Sequence, residues 1–518
     1  MNSIQSSPKR IEKVSSDNVV VGFDLLSNLT YMSVLSIGGL PRDRLLDNTG
    51  KQVLKTSIFF EYIHVLATRV GMEYSEAFRL VAERARATSV KSLLLRFAAA
   101  LGSGESERDF IEQETKLEGQ RYGNQYHRSV ENLRKWTDAY AAILVSVSLI
   151  MVVSLVSTLL GSLDVAFVML MALVLFSITS IGVFVIYKVS PVEQVTFDSE
   201  DGLPPLRKKS RFLAISIPPV GVILTIFIIP QLSLMTAAAT GFTLMGLSLL
   251  PAGYYAWKDD GLVSKLDLEI PTFLRSVGEI AGSAGVTLTE AIRRIDARAL
   301  VNLQDYIDRL YSRLSASLPT PQCWDRFTAE TGSELVNRST SMLRDGAELG
   351  GRTDRVGEIC SDYALQVSEL RETRRLTSAT FSYLSVPMHA TVVFILVFVF
   401  QIVSVFSAKL SEVSSKVKEG SFSTDTLDTN ATVPSGINLP AGGDMTGGLD
   451  MFATQDIGTL GGIIVFVIVV LTIANALAPK FAAGGSHLMI TAYLSIMCLA
   501  TGGLMFIIPL FTEALFDI

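Results

Sequence analysis

Few residues in this chain of 518 are placed to do chemistry. Its four histidines are scattered, and none sits in an HExxH or similar ligand pattern that could hold a metal-activated water. The three cysteines, Cys323, Cys360 and Cys498, have neither zinc spacing nor the numbers for a disulfide framework. There is no Walker-type phosphate loop and no GxGxxG after a strand, so the sequence predicts no nucleotide hydrolysis, no metal and no cofactor. Two kinds of residue remain. His389 and Gln401 fall inside an apolar run, where a polar group costs free energy unless it finds a partner. A proton relay is one reading of His389, and a neutral histidine hydrogen-bonded between helices is the plainer one. The other kind is cationic: Arg207, Lys208, Lys209 and Arg211; Arg293 and Arg294; Arg371, Arg374 and Arg375.

The elements that must carry these residues follow from composition. With 18% charged and 49% apolar side chains and a mean hydropathy of +0.41, the chain is too apolar for a soluble protein. It is also too polar for one made only of membrane spans. Its net charge of −6, from 44 basic and 50 acidic residues, carries no nucleic-acid-like basic excess. The polar start MNSIQSSPKR is followed by charge, so no secretory signal is expected, and residues 1–139 hold no uncharged run of the about 20 residues a bilayer requires.

Seven apolar runs come later. Ala141–Leu160 and Val165–Tyr187 form one hairpin, Phe212–Pro230 and Leu234–Trp257 a second. Phe381–Phe406, Ile457–Ala478 and Leu488–Phe511 complete the set. Pro218, Pro219 and Pro230 should kink or end the third span. Lysine and arginine in loop 188–211, with Lys258, Arg374, Arg375 and Lys480, lie on one side, while Asp164, Glu513 and Asp517 flank spans on the other. The positive-inside rule then places the N-terminus in the cytoplasm and the C-terminus outside. The expected fold is all-α and polytopic: a cytoplasmic helical domain over 1–139, two hairpins over 140–257, a second cytoplasmic domain over 258–378, and three spans over 379–518 with an exterior loop 407–456.

Apolar residues at three- and four-residue spacing predict helices in both cytoplasmic segments, about three of them over 51–116. The segments also resemble each other. FFEYIHVLATRVGMEYSEAF (59–78) lies on FLRSVGEIAGSAGVTLTEAI (273–292) at an offset of 214, with Phe59/Phe273, Ala67/Ala281, Gly71/Gly285, Ser75/Thr289, Glu76/Glu290 and Ala77/Ala291 coinciding. RDF (108–110) and DRF (325–327) continue that register after a three-residue insertion. The pattern reads as a helix, a turn needing Gly71 or Gly285, then a helix capped at Ser75 or Thr289 with Glu76 or Glu290 in its first turn.

Two related helical modules, each preceding apolar spans, resemble the type II secretion system F-domain superfamily of membrane platform proteins. LLLRFAAALGSGESERDFIEQE (93–114) and GAELGGRTDRV (346–356) resemble segments of the archaeal FlaJ-type branch, which the seven spans and the long outer loop also favour. The resemblance covers roughly 50–410. It implies a dimeric platform at the base of a type IV-pilus-like filament or archaellum. A cytoplasmic hexameric secretion ATPase would act on it, and pilin-like or archaellin-like subunits would pass from the membrane into the filament.

Each cationic cluster has two readings. Arg207, Lys208, Lys209 and Arg211 either obey the charge rule for membrane insertion or dock an acidic patch on the ATPase. Arg293 and Arg294 either form a solvated helix face or contact that partner. Arg371, Arg374 and Arg375 either anchor to membrane lipids or interact, on a helix expected to run on into the fifth span. Gly241, Gly246, Gly461 and Gly462 suit close helix packing. Asn430-Ala431-Thr432 is a glycosylation sequon on the exterior side, whereas the sequons at Asn28 and Asn337 should stay bare. A seven-helix receptor fails on orientation. A transporter would want ionisable groups deep in the spans, and none of Asp, Glu, Lys or Arg lies there.

Overall fold

The computed structural model describes residues 18–159, 165–199, 202–228, 230, 232–418 and 457–515. In chain order the helices of the first module are α1 (Val19–Ile37), α2 (Arg42–Gly50), α3 (Ser57–Arg69), α4 (Tyr74–Arg84), α5 (Thr88–Ser103) and the start of α6 (Glu107–Leu159). The middle of the chain gives α7 (Val165–Val189), α8 (Pro205–Ser216), α9 (Pro218–Ile228) and α10 (Leu234–Ala284). The second module adds α11 (Leu288–Arg294), α12 (Gln304–Ser315), α13 (Thr320–Thr331), α14 (Glu334–Glu348) and α15 (Thr353–Lys418). Two apolar helices, α16 (Ile457–Ala483) and α17 (Met489–Leu515), close the chain. Among the described residues there is no strand, only two isolated bridges, one of them pairing Thr196 with Ser333.

Two apolar cores divide the molecule. One joins residues 19–130 to 266–370, so both modules share it, and the other joins the apolar parts of α6, α7, α10, α15, α16 and α17. Eight described helices are long and apolar enough to cross a bilayer, and this is an all-α, multi-pass membrane protein. Seven coincide with the expected spans. The eighth, α1, has 83% of its most apolar stretch enclosed by protein, packed on α6, α14 and α15, and is a core helix of the module.

Three helices do not stop at the membrane surface. α6, α10 and α15 hold 53, 51 and 66 residues and run unbroken from module to span, as expected for the helix bearing Arg371 to Arg375. At 1.5 Å per residue, α15 is about 100 Å long. It continues through residues 407–418, which the sequence assigned to a loop. The third span is interrupted at Ile217, between α8 and α9, where the tandem Pro218-Pro219 starts a new helix.

The internal repeat is real, but its register is not 214. Helices α2, α4, α5 and α6 begin at Arg42, Tyr74, Thr88 and Glu107, and α11, α13, α14 and α15 begin 246 residues later, at Leu288, Thr320, Glu334 and Thr353. Left-handed turn residues pair at the same spacing: Gly39 with Gly285, Gly71 with Ser317, Gly104 with Gly350. Buried faces pair too, Ala77, Phe78 and Val81 of α4 with Cys323, Trp324 and Phe327 of α13. The pairing of 59–78 with 273–292 therefore joined two local helix–glycine–helix turns that belong to different places in the module. The caps also move. Glu73 precedes α4 and Ser75 Oγ donates to the Glu73 carboxylate at 2.9 Å, while α11 is capped by Thr287, which accepts from Glu290 N. Ser75 and Thr289 lie one residue inside their helices.

Candidate functional site

Where the three long helices enter the membrane, a collar of buried charge ties the modules to the spans. The segment 190–199, which follows α7, lies against the second module: Phe197 N donates to Gly332 O at 2.8 Å and Glu334 N to Val195 O at 3.0 Å. Arg371 of α15 holds it from one side, donating to Glu193 at 3.2 Å and Gln194 O at 3.2 Å, and reaches Asp267 of α10 at 2.7 Å. Ser333 completes the Asp267 carboxylate, and Tyr126 of α6 donates to Glu193 at 2.7 Å. Burial alone would lower the Arg371 pKa, but Glu193 and Asp267 outweigh it and hold the guanidinium above its ordinary value. Burial, aided by Glu193, pushes the Tyr126 phenol well up, so it stays a hydrogen-bond donor.

One turn on, Arg374 uses all its nitrogens internally. It donates to Pro191 O at 2.6 Å, Ser190 Oγ at 2.7 Å, Ala482 O at 3.1 Å and Phe481 O at 3.2 Å, clamping the end of α7 to the end of α16. Arg207 of α8 donates to Asp259 of α10 at 2.9 Å, Asp198 at 2.8 Å, Phe197 O at 2.8 Å and Gly332 O at 3.1 Å. Removing one member of such a set leaves uncompensated charge in a dry setting, which is why these groups fix the collar's geometry.

The cationic candidates thus separate. Arg207 and Arg374 are buried structural clamps, and Arg371, mostly buried, spends its guanidinium on Glu193, Gln194 and Asp267; burial and internal pairing, invisible in composition, leave the three no free face for docking, against that expectation. Lys208, Lys209, Arg211 and Arg375 are exposed beside the collar. Arg293 and Arg294 are exposed too, both paired with Glu290, at 2.5 and 2.8 Å. They sit at the far end of the modules, where the turns meet: Gly38 abuts Leu349 O, Gly282 abuts Asp354, and Arg42 pairs with Glu107 at 3.1 Å. Gly71 and Gly285 both adopt left-handed turns, as expected. Asn430 lies outside the described residues, while Asn28 is buried, bonded to Thr56 and Ser57.

One cluster was missed by the sequence reading, and of a second only His389 was seen. In the shared core, Arg338 of α14 donates to Asp24 of α1 at 2.9 Å and to Glu334 at 2.7 Å, stacked over the Phe23 ring at 4.1 Å. An aspartate in the apolar run of α1 was the available signal. Within the spans, His389 is not alone. Asn475 donates to its Nδ1 at 3.1 Å, its Nε2 meets Thr501 Oγ1 at 2.8 Å, and Tyr140 donates to Asn475 at 3.1 Å. Four spans are stitched by neutral groups, the plainer of the two readings. Of the small residues, Gly246 packs against Leu499, Gly241 against Thr225 and Gly461 against Phe400, while a Cβ on Gly462 would meet nothing within 4 Å.

Comparison with known proteins adds a family likeness. Residues 273–403 match the type II secretion system (T2SS) protein F family, so the F-domain resemblance holds over the second module and fifth span. The chain is similar to "Flagella accessory protein J" of Methanocaldococcus jannaschii, 23% identical over 360 residues, covering 67% of this chain and 63% of that protein. It is similar also to "Flagella accessory protein J" of Methanococcus voltae, 24% identical over 362 residues, 67% of this chain and 64% of the relative. The matched stretch is thus under two thirds of either relative's length. No solved structure matches.

Proposed function

We propose that this protein is a non-enzymatic membrane platform for assembly of an archaellum or related type IV-pilus-like filament, working as a homodimer. The observation that carries the reading is the run of α6, α10 and α15 from F-type modules into the membrane without a break, joined at a charged collar. A body built this way passes motion from the modules to the spans, while a transporter would place its ionisable groups along a path through them. Likeness to two flagella accessory proteins and to T2SS protein F supports the filament system.

In this reading the modules face the cytoplasm, as the basic flanks of the spans require, and the C-terminus lies outside. A hexameric secretion ATPase meets the far end of the modules, where Arg293 and Arg294 are exposed, with Lys208, Lys209 and Arg211 as a second contact nearer the membrane. Steering charges of this kind raise on-rate more than affinity. Pilin-like subunits are handled by the spans.

Deletion of the gene, scored by electron microscopy of surface filaments and by swimming, tests this. Loss of both supports the archaellum platform, and loss of thin non-motile fibres with swimming intact assigns it to an adhesion pilus. Every filament retained, in a strain lacking a second copy, refutes the platform and returns attention to solute uptake. Complementation with Arg293→Glu/Arg294→Glu should fail to restore filaments if the far end docks the ATPase.

A further inference from the structure

α10 and α15 touch closely at the far end of the second module, where a Cβ on Gly278 would stand 2.7 Å from Gly357 Cα. Toward the membrane they part, and α17 closes the base of the gap, with a Cβ on Gly253 falling 2.7 Å from Ala492 Cα. The result is a groove of about 760 Å³ at the level where the fourth and fifth spans leave the bilayer. Its two ends differ in chemistry. The span end is apolar, walled by Leu250, Tyr254, Val386, Ala492 and Ile496. The module end is charged.

That charge does not cancel locally. Among the groove's carboxylates, Glu193 and Asp267 are taken by Arg371, Asp260 accepts Ser486 N at 2.9 Å, and Glu372 pairs with Arg375 at 3.5 Å. Arg374 is satisfied mainly by carbonyls. Lys258 and Lys265 are left: both are exposed, both line the groove, and neither has an ion-pair partner among the described residues. Seven residues apart on α10, they stand two helical turns, about 10 Å, above one another on one face. Trp257 and Tyr383, 63% and 80% exposed, flank the mouth in the manner of side chains that settle at a headgroup layer.

We infer that this groove is a binding site for one anionic phospholipid of the module-side leaflet, its phosphate on Lys258 and Lys265 and its acyl chains along Leu250, Tyr254 and Ile496. A zwitterionic lipid would bring its own cation against the lysines and gain less. A soluble anion would leave the apolar half of the groove uncovered, losing the burial that favours a lipid. A bound lipid would fill the gap between the two helices that link the second module to the membrane.

The test uses the full chain, purified in detergent and stripped of lipid. It is titrated with phosphatidylglycerol or phosphatidylcholine, and bound copies are counted by native mass spectrometry. One phosphatidylglycerol should be held in preference to phosphatidylcholine. Lys258→Gln and Lys265→Gln should each weaken it about five-fold, and the pair about thirty-fold, as expected for about 1 kcal/mol per cation at an anionic surface. Gly261→Phe fills the groove at a position with nothing within 4 Å of a Cβ and should exclude the lipid outright. Lys91→Gln/Lys116→Gln, exposed on the first module and outside the groove's lining, should change nothing. Equal binding of the two lipids, indifference to the lysine pair, or the same loss from the Lys91 and Lys116 changes would each overturn the site. Displacement of phosphatidylglycerol by inorganic phosphate at matched ionic strength would assign the lysines to a free anion and overturn the lipid. Should Gly261→Phe fail to fold, judged by gel filtration, the lysine variants decide alone.

Discussion

Among the described residues, α6 is the one helix of the first module that runs on into a span, since α1 is enclosed by protein, whereas in the second both α10 and α15 do so. Six helices in matching order build each module, so the contrast can be made position by position at a spacing of 246 residues. Where α1 crosses α6, the matched residues are Met32 and Ile111, both fully buried; where α10 crosses α15, they are Gly278 and Gly357, backbone against backbone. Where α15 has Arg371, α6 has Gln125, and where α14 has Arg338, α5 has Ser92. The second module is thus the tighter and more charged of the two. Buried arginine clamps stand where two membrane-linked helices keep a fixed relation, while at the matched crossing of the first module the enclosed helix α1 meets α6 through apolar side chains.

The largest expected effect removes a clamp. Arg371→Ala leaves Glu193 and Asp267 buried without their cation and should cost about 3–5 kcal/mol, whereas Gln125→Ala at the matched position should cost about 0.5 kcal/mol or less. Chemical denaturation in detergent measures both, and equal losses would erase the contrast between modules. Next is the helix crossing. Gly278→Ala drives a methyl into Gly357 and should cost about 1–3 kcal/mol, while Met32→Leu should stay near or below about 1 kcal/mol. A neutral Gly278→Ala would show that the α10–α15 contact is loose.

Capping gives a smaller difference. Thr287→Ala removes the oxygen that accepts from Glu290 N and should cost about 0.5–1 kcal/mol, but Pro41, its counterpart before α2, makes no such bond, so Pro41→Ala lacks that loss. The smallest effect has the opposite sign. Glu118 of the first module is buried where the second has Ala364, and its Oε2 has no hydrogen-bond partner. Burial pushes its pKa above the ordinary glutamate value, against the pull of Arg121. A raised carboxyl contributes stability that is full below the unfolded pKa and is lost as pH rises through the folded one. Glu118→Gln should therefore raise the unfolding temperature at neutral pH, with the gain fading as pH falls to the ordinary glutamate range. A gain that persists in acid would mean that something other than ionisation is relieved.

These pairs also show how far the sequence could be read. The seven spans were legible because twenty uncharged residues have few other uses, and α1 was kept out of the membrane by Asp24 alone, which the structure places on Arg338. The repeat was visible but misregistered. Five identities and the Ser75/Thr289 pair favoured an offset of 214, whereas the register of 246 conserves what letters do not report: backbone sign at Gly71 and Ser317, and buried volume at Phe78 and Trp324. The collar was half legible. Arg371 and Arg374 were marked as candidates at the right place, but a charge bound for solvent and one bound for a buried carboxylate look the same in one dimension. Glu193 and Asp267, the partners of Arg371, and Asp259, the partner of Arg207, come from distant segments that only folding brings together.

Arg374 has a mechanical consequence. It fixes α15 to the ends of α7 and α16 about a third of the way along the helix, 21 residues from its start at Thr353 and 44 from its end at Lys418. A rod held there has arms of about 32 and 66 Å, so a tilt imposed at the module end sweeps the opposite tip about twice as far. Pro387 sits on the longer arm, where its missing backbone N–H removes one rung of the helix's hydrogen-bond ladder. Beyond the fulcrum His389 ties the longer arm to Asn475 and Thr501, so a tilt of α15 would carry those two spans with it.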